Sequence, residues 1–354
     1  MTNILHISTA HTTQDIRIYL KEVKSLINKG FDVKFLVASN EKNDSPSSHI
    51  YIKKSSNRIK RMIFDNYRMY KKIKEINPEI VHFHDPEFLP YSYILMKQKF
   101  KVIYDSHEDL PRAILSKPYI NIRYRKIMSY LIEKLENYIS SKLTFIVTAT
   151  PHIEKRFKKI NKNTICINNY PLMNELLTPT EIKRKDQVCY VGGLSYIRGS
   201  KVLSEASLLA DVPMVIAGNT KDLGENNLKL LGNINREEVA LLLGESKAGI
   251  VTFLPEPNHI NARPNKMFEY MSASLPVICS NFPEWQKIIE ENKCGISVDP
   301  ENPKELSDAI KNITKNDVLV KEMGENGRNA ILNKYNWSIE EEKLISLYKK
   351  LEEI

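Results

Sequence analysis

Long apolar runs are scarce in this sequence. No stretch approaches 18 uncharged apolar residues, so no helix is expected to span a bilayer. Residues 1–7 contain no basic segment, and their pattern predicts a strand rather than a signal peptide. The four cysteines lack C-x-x-C spacing, and three of them lie in or beside apolar runs. These absences favour a cytoplasmic protein with buried, reduced thiols.

The glycine motifs of common nucleotide-binding proteins are also missing. Residues 8–13, which follow the first predicted strand, contain no glycine, whereas a dinucleotide-binding fold needs G-x-G-x-x-G there. No P-loop motif and no D-x-D triplet occur anywhere in the chain. The sequence therefore argues against an NAD or FAD dehydrogenase, and it gives no indication of a diphosphate held by a metal ion.

Positive charge is abundant but unevenly distributed. The formal net charge is +9. Residues 1–180 carry 30 Lys and Arg against 17 Asp and Glu, whereas residues 181–354 carry 22 against 26. Such a division indicates that the first half meets something anionic: a nucleic acid, a membrane surface or an acidic substrate.

The first half alternates short apolar runs with longer amphipathic stretches. Strands are predicted at residues 4–8, 32–37, 80–83, 101–104 and 144–147, because each run is almost continuously apolar, as buried parallel strands are. Helical patterns lie between or after them at residues 15–28, 57–76, 88–97, 119–141 and 152–160. This alternation predicts an α/β, doubly wound parallel sheet.

The same alternation restarts in the second half. We predict an N-terminal Rossmann-like domain over 1–170, a second over 171–335, and a C-terminal helix, 336–354, that packs back on the first domain. Two such domains would face a cleft. Residues 302–354 read as three helices, of which the first is capped by Asn302 and opened by Pro303.

Polar clusters follow two of the predicted strands of the first domain. One spans residues 82–87 and includes His84 and Asp85, and the other spans residues 105–109 and includes His107. Ligands bind beyond the carboxyl ends of strands in open α/β sheets. His and carboxylate can also hold a metal, although neither cluster has helical ligand spacing. We expect hydrogen-bonded loop residues, with a functional role for His107.

Two segments of the second half suit an anionic ligand. Gly192 and Gly193 lie between a predicted strand and a helix, and Arg198 follows them where it can grip a phosphate. Pro264 is predicted to open a helix at its first turn, which places Asn265 and Lys266 near the helix N-terminus, where anions are favoured. Glu269 lies about one turn further on, and a carboxylate there suits ribose hydroxyls.

The chain resembles the retaining glycosyltransferases of family 4, which have the GT-B fold. The resemblance covers nearly the whole chain and is carried by several motifs in a specific order: His11-Thr12-Thr13-Gln14-Asp15-Ile16-Arg17-Ile18, Val81-His82-Phe83-His84-Asp85-Pro86, Tyr104-Asp105-Ser106-His107-Glu108, Tyr190 to Gly199, and Pro264-Asn265-Lys266-Met267-Phe268-Glu269-Tyr270-Met271.

The resemblance implies roles for the matching residues. His107 matches the histidine beside the donor sugar and reacting centre, and Glu269 matches the second acid of an E-x7-E motif, which binds the ribose. Residues 231–234 match the edge that packs on the base. The remaining donor-site matches are Gly192, Gly193, Arg198, Arg263, Asn265, Lys266, Gly218 and Ile234. The acceptor-side matches are His11, Asp15, Arg17, His84 and Asp85.

Two departures from the family pattern affect the predicted donor site. Asn261 stands where the first acid of E-x7-E is expected, so this predicted catalytic position carries an amide instead of a carboxylate. Gly193 stands where the first phosphate-binding arginine is expected. One positive charge is therefore missing from the usual diphosphate grip. We predict that Lys266 or Arg263 supplies it.

Two basic stretches of the first half interleave cations with aromatic and aliphatic residues. Residues 51–75 carry nine Lys and Arg, and residues 117–142 carry six. A basic amphipathic helix can lie in a membrane interface. The alternative is a solvated helix whose apolar side packs on the sheet. No nucleic-acid-binding motif accompanies the charge, so a nucleic acid is not expected as a partner.

The function predicted from the sequence is glycosyl transfer. A retaining, metal-independent hexosyltransferase without a cofactor would use a nucleotide diphosphate sugar, UDP-sugar first and GDP-sugar next. Its acceptor would be a lipid-linked saccharide of lipopolysaccharide or capsule, used at the inner face of the cell membrane. The alternatives are a sugar-nucleotide epimerase of the same fold and a binding-only homologue with weakened catalysis.

Overall fold

A computed structural model describes residues 2–40, 46–117, 119–173, 176 and 182–353. The chain divides into two compact units. The first unit comprises Met1–Asn169 and Glu340–Ile354, and the second comprises Tyr170–Ile339.

A fully parallel sheet forms the centre of the first unit. Among the described residues it has seven strands: β1 (Asn3–Ser8), β2 (Asp32–Ala38), β3 (His49–Ile52), β4 (Ile80–Phe83), β5 (Lys101–Ser106), β6 (Phe145–Thr148) and β7 (Thr164–Cys166). Their order across the sheet is β3-β2-β1-β4-β5-β6-β7. The chain thus starts in the middle, winds to one edge and returns to build the other, which is a doubly wound topology.

Helices connect these strands. The α-helices are α1 (Lys24–Asn28), α2 (Arg58–Lys60), α3 (Asn66–Ile76), α4 (Leu89–Lys97), α5 (Leu110–Leu115), α6 (Ile122–Ser140) and α7 (Pro151–Phe157). Two π-helical segments, Ile16–Val23 and Arg61–Asp65, lead into α1 and α3, and a 3-10 turn, Pro86–Phe88, leads into α4.

The second unit contains another parallel sheet. In the part of the chain that the structure describes, it has six strands: β8 (Val188–Val191), β9 (Met214–Ala217), β10 (Leu228–Gly232), β11 (Ala248–Val251), β12 (Val277–Ser280) and β13 (Gly295–Val298). Their order is β10-β9-β8-β11-β12-β13. A 3-10 turn, Tyr196–Arg198, precedes the first of its helices: α8 (Ser200–Ala210), α9 (Arg236–Glu245), α10 (Asn265–Ser272), α11 (Pro283–Glu291), α12 (Pro303–Thr314) and α13 (Asp317–Asn333).

The last helix, α14 (Trp337–Glu352), supplies buried side chains to the first unit beyond residue 339. The Tyr348 hydroxyl lies 2.7 Å from His82 Nδ1 and 3.0 Å from His6 Nε2. Lys101 donates from Nζ to the carbonyl oxygen of Leu351 at 2.8 Å. None of the described helices is long and apolar enough to cross a bilayer.

The prediction of doubly wound parallel α/β sheets is confirmed in both units, with corrections at their edges. The five strands predicted for the first half are present, whereas the edge strands β3 and β7 were missed; β3 is only partly buried at three of its four positions. Pro264 does not open α10 but precedes it, with φ −68° and ψ 125°. The three helices predicted after residue 302 are present, and Asn302 caps α12 by accepting from the backbone N–H of Glu305.

The cysteine prediction also holds. All four cysteines are buried, and none forms a disulfide. Burial raises the pKa of the Cys189 and Cys294 thiols to about 12 each, which keeps them protonated and unreactive near neutral pH.

Candidate active site

The carboxyl ends of β1, β4 and β5 bring the predicted acceptor-side residues of the first unit together. The carboxylate of Asp85, just past β4, accepts from Ser8 Oγ at 2.9 Å and from the Thr9 backbone N–H at 2.6 Å. His11 Nδ1 lies 2.9 Å from Asp15 Oδ2. The other Asp15 oxygen accepts from the Ile18 backbone N–H at 2.9 Å, so Asp15 caps the helical segment that begins at Ile16.

His107 is held in place by the buried carboxylate of Asp105. Its Nε2 lies 3.0 Å from Asp105 Oδ2, and Nδ1 of His84 lies 3.1 Å from the same oxygen. Because a carboxylate only accepts, both nitrogens carry a proton and donate to it. His107 is 20% exposed, whereas His84 and Asp105 are buried. The exposed edge of His107 therefore presents Nδ1, in a fixed orientation, to a ligand.

Arg17 completes this arrangement from inside the unit. It donates from Nε and Nη2 to the two Asp105 oxygens at 2.9 and 2.8 Å, and from Nη1 to the Ile167 carbonyl at 2.9 Å. Burial opposes ionisation of Asp105, but Arg17 and the two histidines outweigh it and hold the pKa of Asp105 well below its usual value. Arg17 and His84 are closed to solvent, so they orient Asp105 and His107 instead of facing an acceptor.

Protonation in this cluster is set by burial and by neighbouring charges. Burial lowers the pKa of His84 to about 4, although Asp105 opposes the shift. Burial also lowers the pKa of His11, but its hydrogen bond with Asp15 and the charge of Asp85 outweigh burial and raise that pKa above its usual value. Near neutral pH, His84 is therefore uncharged, while Asp15 and Asp85 stabilise the cationic form of the partly exposed His11.

Two crossing loops build the candidate donor site of the second unit. Gly192 follows β8 with φ +111°, and Gly218 follows β9 with φ +135°, a backbone region that side chains rarely adopt. A Cβ atom at Gly218 would collide with the Gly192 carbonyl oxygen. Gly192 also donates its N–H to Ala217 at 2.7 Å. The crossing therefore requires glycine at position 218, and the positive φ favours glycine at position 192.

Lys266, the second residue of α10, reaches this turn. Its Nζ lies 3.4 Å from the point that a Cβ atom of Gly192 would occupy, and 3.7 Å from the centre of the Tyr190 ring. The Nζ atom is buried and has no hydrogen-bond partner among the described residues. Burial, and then the nearby charge of Arg198, lower the pKa of Lys266 well below its usual value, although Glu269 opposes them.

The other predicted donor residues surround the same turn or lie apart from it. Arg198 is exposed and donates from Nη1 to the Gly193 carbonyl at 3.0 Å. Arg263 instead donates to the Tyr170 hydroxyl at 2.6 Å and to Glu284 at 3.3 Å. The structure therefore favours Lys266 over Arg263 as the replacement for the missing arginine. Asn261 is half-buried in the preceding loop, and Asn265 is exposed at the start of α10.

Glu269 lies one turn into α10 and is 19% exposed. Arg236, the first residue of α9, donates to Glu269 Oε1 from Nη1 at 3.2 Å and from Nη2 at 3.3 Å. Ile234, two residues before α9, packs against the core. Arg236 was not predicted as a site residue, because 33 residues separate it from Glu269, although Asn235 and Glu238 form a capping box that marks the start of α9.

Sequence comparison agrees with this two-unit architecture. Residues 17–167 match the family described as Glycosyltransferase Family 4, and residues 178–330 match the family described as Glycosyl transferases group 1. Spore coat protein SA of Bacillus subtilis (strain 168) is 26% identical over 196 residues. That alignment covers 50% of this chain and 52% of the relative, so the chain spans about half the length of the curated relative that it matches.

Solved structures share the fold. Sucrose-phosphate synthase from Thermosynechococcus elongatus superposes with a TM-score of 0.81 at 16% identity and covers 99% of each chain. HepE of Anabaena in complex with UDP-glucose superposes with a TM-score of 0.74 at 13% identity, covering 99% of this chain and 100% of that one. The chain therefore belongs to the family 4-type glycosyltransferases of the GT-B fold.

Proposed function

We propose that this protein transfers a hexosyl group from a nucleotide diphosphate sugar to a saccharide acceptor, with retention of the anomeric configuration. A UDP-sugar is the first candidate donor and a GDP-sugar the second; the UDP-glucose complex of HepE, which has the same fold, supports that order. The observation that carries the proposal is Lys266, a buried amine that lies against the Gly192 turn and has no hydrogen-bond partner in the part of the chain that the structure describes.

The reaction this arrangement favours is departure of a nucleoside diphosphate. Breaking the bond between sugar and phosphate places growing negative charge on the leaving diphosphate, and preorganised cations lower the barrier to that step. Lys266, Arg198 and the N-terminus of α10 would supply this stabilisation. Glu269, oriented by Arg236, would accept from the ribose hydroxyls. Two side-chain cations and a helix N-terminus take the place that a metal ion has in other transferases, so we propose metal-independent transfer without a cofactor.

His107 would act on the sugar side of the reaction. Asp105 fixes its ring and leaves Nδ1 as a hydrogen-bond acceptor at the exposed edge. Such a nitrogen can hold a sugar hydroxyl in place, and the family resemblance puts His107 beside the reacting centre. Among the described residues, no carboxylate is evident as a covalent nucleophile. We therefore propose that donor and acceptor react on the same face of the sugar.

The acceptor is proposed to be lipid-linked, because the basic stretches carry exposed apolar side chains. Ile59 is 71% exposed on α2, and Ile122 is 73% exposed at the start of α6. Arg58 donates to the Tyr119 hydroxyl at 2.7 Å, so the two stretches adjoin. Only part of the apolar side packs inward, through Met69 and Ile73 of α3. A basic surface with exposed aliphatic and aromatic groups suits the anionic inner face of a cell membrane.

Product analysis tests the proposal. The protein is incubated with UDP-glucose, UDP-N-acetylglucosamine and GDP-mannose, with and without a lipid-linked saccharide extract, and the products are resolved by mass spectrometry and by anomeric proton NMR. We expect an α-linked product from an α-linked donor. An inverted product would overturn retention, and an epimerised nucleotide sugar would identify an epimerase. A nucleotide sugar that binds, but from which neither the nucleotide is released nor the sugar transferred, would identify a binding-only homologue. Asn261 and Gly193 would explain that outcome.

A further inference from the structure

A second cluster of functional groups lies inside the first unit, below His107. His6 of β1 and His82 of β4 are register partners, and His84 follows two residues later. Glu22, from the π-helical segment before α1, covers the three rings. All four side chains are closed to solvent, and one ligand atom from each lies within 4.8 Å of the others. Burial of so many titratable groups is costly unless each has a partner.

The distances within the cluster match those around a single ion. His6 Nδ1 and His84 Nε2 are 3.0 Å apart, and Glu22 Oε2 lies 3.8 Å from the first and 4.0 Å from the second. A point in the plane of these three atoms and equidistant from them lies about 2.1 Å from each, which is the length of a bond from zinc to imidazole nitrogen or carboxylate oxygen.

The outward-facing nitrogens of His84 and His6 are already bonded in the way that metal ligands require. His84 donates from Nδ1 to Asp105, which leaves Nε2 as a lone pair. His6 Nε2 lies 3.0 Å from the Tyr348 hydroxyl, which can accept from it and donate in turn to His82 Nδ1 at 2.7 Å. Partners of this kind fix the ring and tautomer of a ligating histidine.

Glu22 supplies the independent observation. Its Oε2 has no hydrogen-bond partner among the described residues, although the side chain is fully buried beside Arg17 and Asp105. Oε1 lies 3.2 Å from Arg17 Nε, so Oε2 is the oxygen directed at the two imidazole nitrogens. Buried carboxylate oxygens in native proteins are almost always paired, and a cation at this point would pair Oε2.

We propose that the first unit binds one divalent transition-metal ion, with zinc as the reference ion, through His6 Nδ1, His84 Nε2 and Glu22 Oε2. His82 lies close enough to provide a fourth ligand. The ion would join β1, β4 and the segment before α1, and it would hold His84 in the orientation that supports Asp105. Its role is structural, and the proposal does not depend on the transfer reaction.

Metal analysis of the intact chain tests this directly. Protein prepared without a histidine tag is stripped with a chelator, titrated with Zn²⁺, and separately loaded with Co²⁺ for visible and X-ray absorption spectroscopy. We expect one equivalent of tightly bound metal, visible Co²⁺ d–d bands, and two or three imidazole ligands by X-ray absorption. Wild-type protein that takes up less than a tenth of an equivalent would overturn the proposal, because a cluster joined only by shared protons needs no metal.

Variants locate the ion. Glu22→Gln keeps the shape of the side chain and should weaken Zn²⁺ binding at least 100-fold, while Tyr348→Phe should weaken it about 10-fold. His49→Gln is the matched control, since His49 is another buried histidine of the same unit but is bonded to the Thr13 carbonyl. His107→Gln should also keep full binding. Equal affinity in wild type and a folded Glu22→Gln variant would place the metal elsewhere and refute the site.

Discussion

The two units bury charge in opposite ways. In the first unit, the buried Asp105 is surrounded by partners: Arg17 binds both of its oxygens, and two histidines donate to one of them. In the second unit, the buried amine of Lys266 has aromatic rings around it and no hydrogen-bond partner. The first site is complete without a ligand and orients His107. For Lys266, we propose that the partner is the donor diphosphate.

Breaking the complete site should cost the most stability. Asp105→Asn removes the carboxylate that accepts from Nε and Nη2 of the buried Arg17 and leaves Glu22 as the acidic neighbour of that cation, so we expect the free energy of unfolding to fall by about 3–5 kcal/mol. Urea denaturation followed by circular dichroism measures the change. Asp308→Asn is the control, because Asp308 lies on the exposed face of α12 and its replacement should shift stability by less than about 0.5 kcal/mol. A loss as small as that of the control would show that the Asp105 cluster is not an energetic centre.

Acid should also weaken the first unit. Burial lowers the pKa of His6, His82 and His84 below the value of an unfolded histidine, so below pH 6.5 the unfolded chain binds protons that the folded chain does not. Stability is therefore present above pH 6.5 and is lost as the pH falls towards 4. From pH 7 to pH 5 we expect a loss of about 2 kcal/mol for each histidine.

Unfolding curves at half-unit pH steps check this prediction. Replacing His82 with Gln removes one of the three titrating groups, so the pH dependence of that variant should be shallower than that of the wild type. Identical slopes in the two proteins would mean that His82 is not held neutral in the folded state.

Replacement of Lys266 in the second unit should change the free energy of unfolding in the opposite direction. Lys266→Met removes a buried amine without a partner and keeps an apolar side chain of similar length, so the free energy of unfolding should rise by about 1 kcal/mol or stay constant. Lys201→Met, at a 67% exposed position of α8, is the control and should change little. Destabilisation of Lys266→Met as large as that of Asp105→Asn would show that Lys266 has a structural partner and would end the contrast between the units.

Proton uptake sharpens the same contrast. Lys266 has a depressed pKa in the free protein, and a diphosphate beside it favours the charged form, so donor binding above that depressed pKa should take up a proton. Affinity for UDP should then fall as pH rises, by up to about tenfold per pH unit. Calorimetry at pH 8 in two buffers of different ionisation enthalpy measures the uptake, and Lys266→Met should show none.

The smallest expected effect concerns the exposed basic surface of the first unit. Ile59→Ser with Ile63→Ser removes two exposed aliphatic groups and should weaken binding to vesicles that contain phosphatidylglycerol by several-fold, since each buried methylene contributes about 0.8 kcal/mol at most. Val318→Ser, at a 77% exposed position of the second unit, should have no effect. Equal vesicle binding by wild type, the double variant and Val318→Ser would contradict the proposal that this surface binds a membrane.

Sequence patterns predicted the folds of both units better than they predicted the sites. Parallel strands buried on both faces are nearly continuously apolar, so runs such as residues 80–83 and 188–191 can be identified as strands from the sequence. Contacts between distant side chains leave no such trace. Tyr348 and His6 are 342 residues apart, and nothing in either neighbourhood predicts their contact.

The same limit explains the individual residues. Arg17 was expected on the acceptor side because it belongs to the motif of residues 11–18, but its position inside the unit depends on Asp105 and Ile167. Lys266 was one of two candidates for the missing cation, and only the geometry of the Gly192 turn separates it from Arg263. Spacing shows which residues share an element, whereas partner choice is decided by packing.

Titration of UDP into wild-type protein and Lys266→Met, side by side at pH 7, tests the central claim most directly, with uridine as the ligand that lacks a diphosphate. The account predicts that UDP binds wild type about 10–100-fold more tightly than Lys266→Met, and that uridine does not distinguish the two proteins. Equal UDP affinity for both proteins, with the variant folded, would contradict the claim that Lys266 supplies the cation of the donor site.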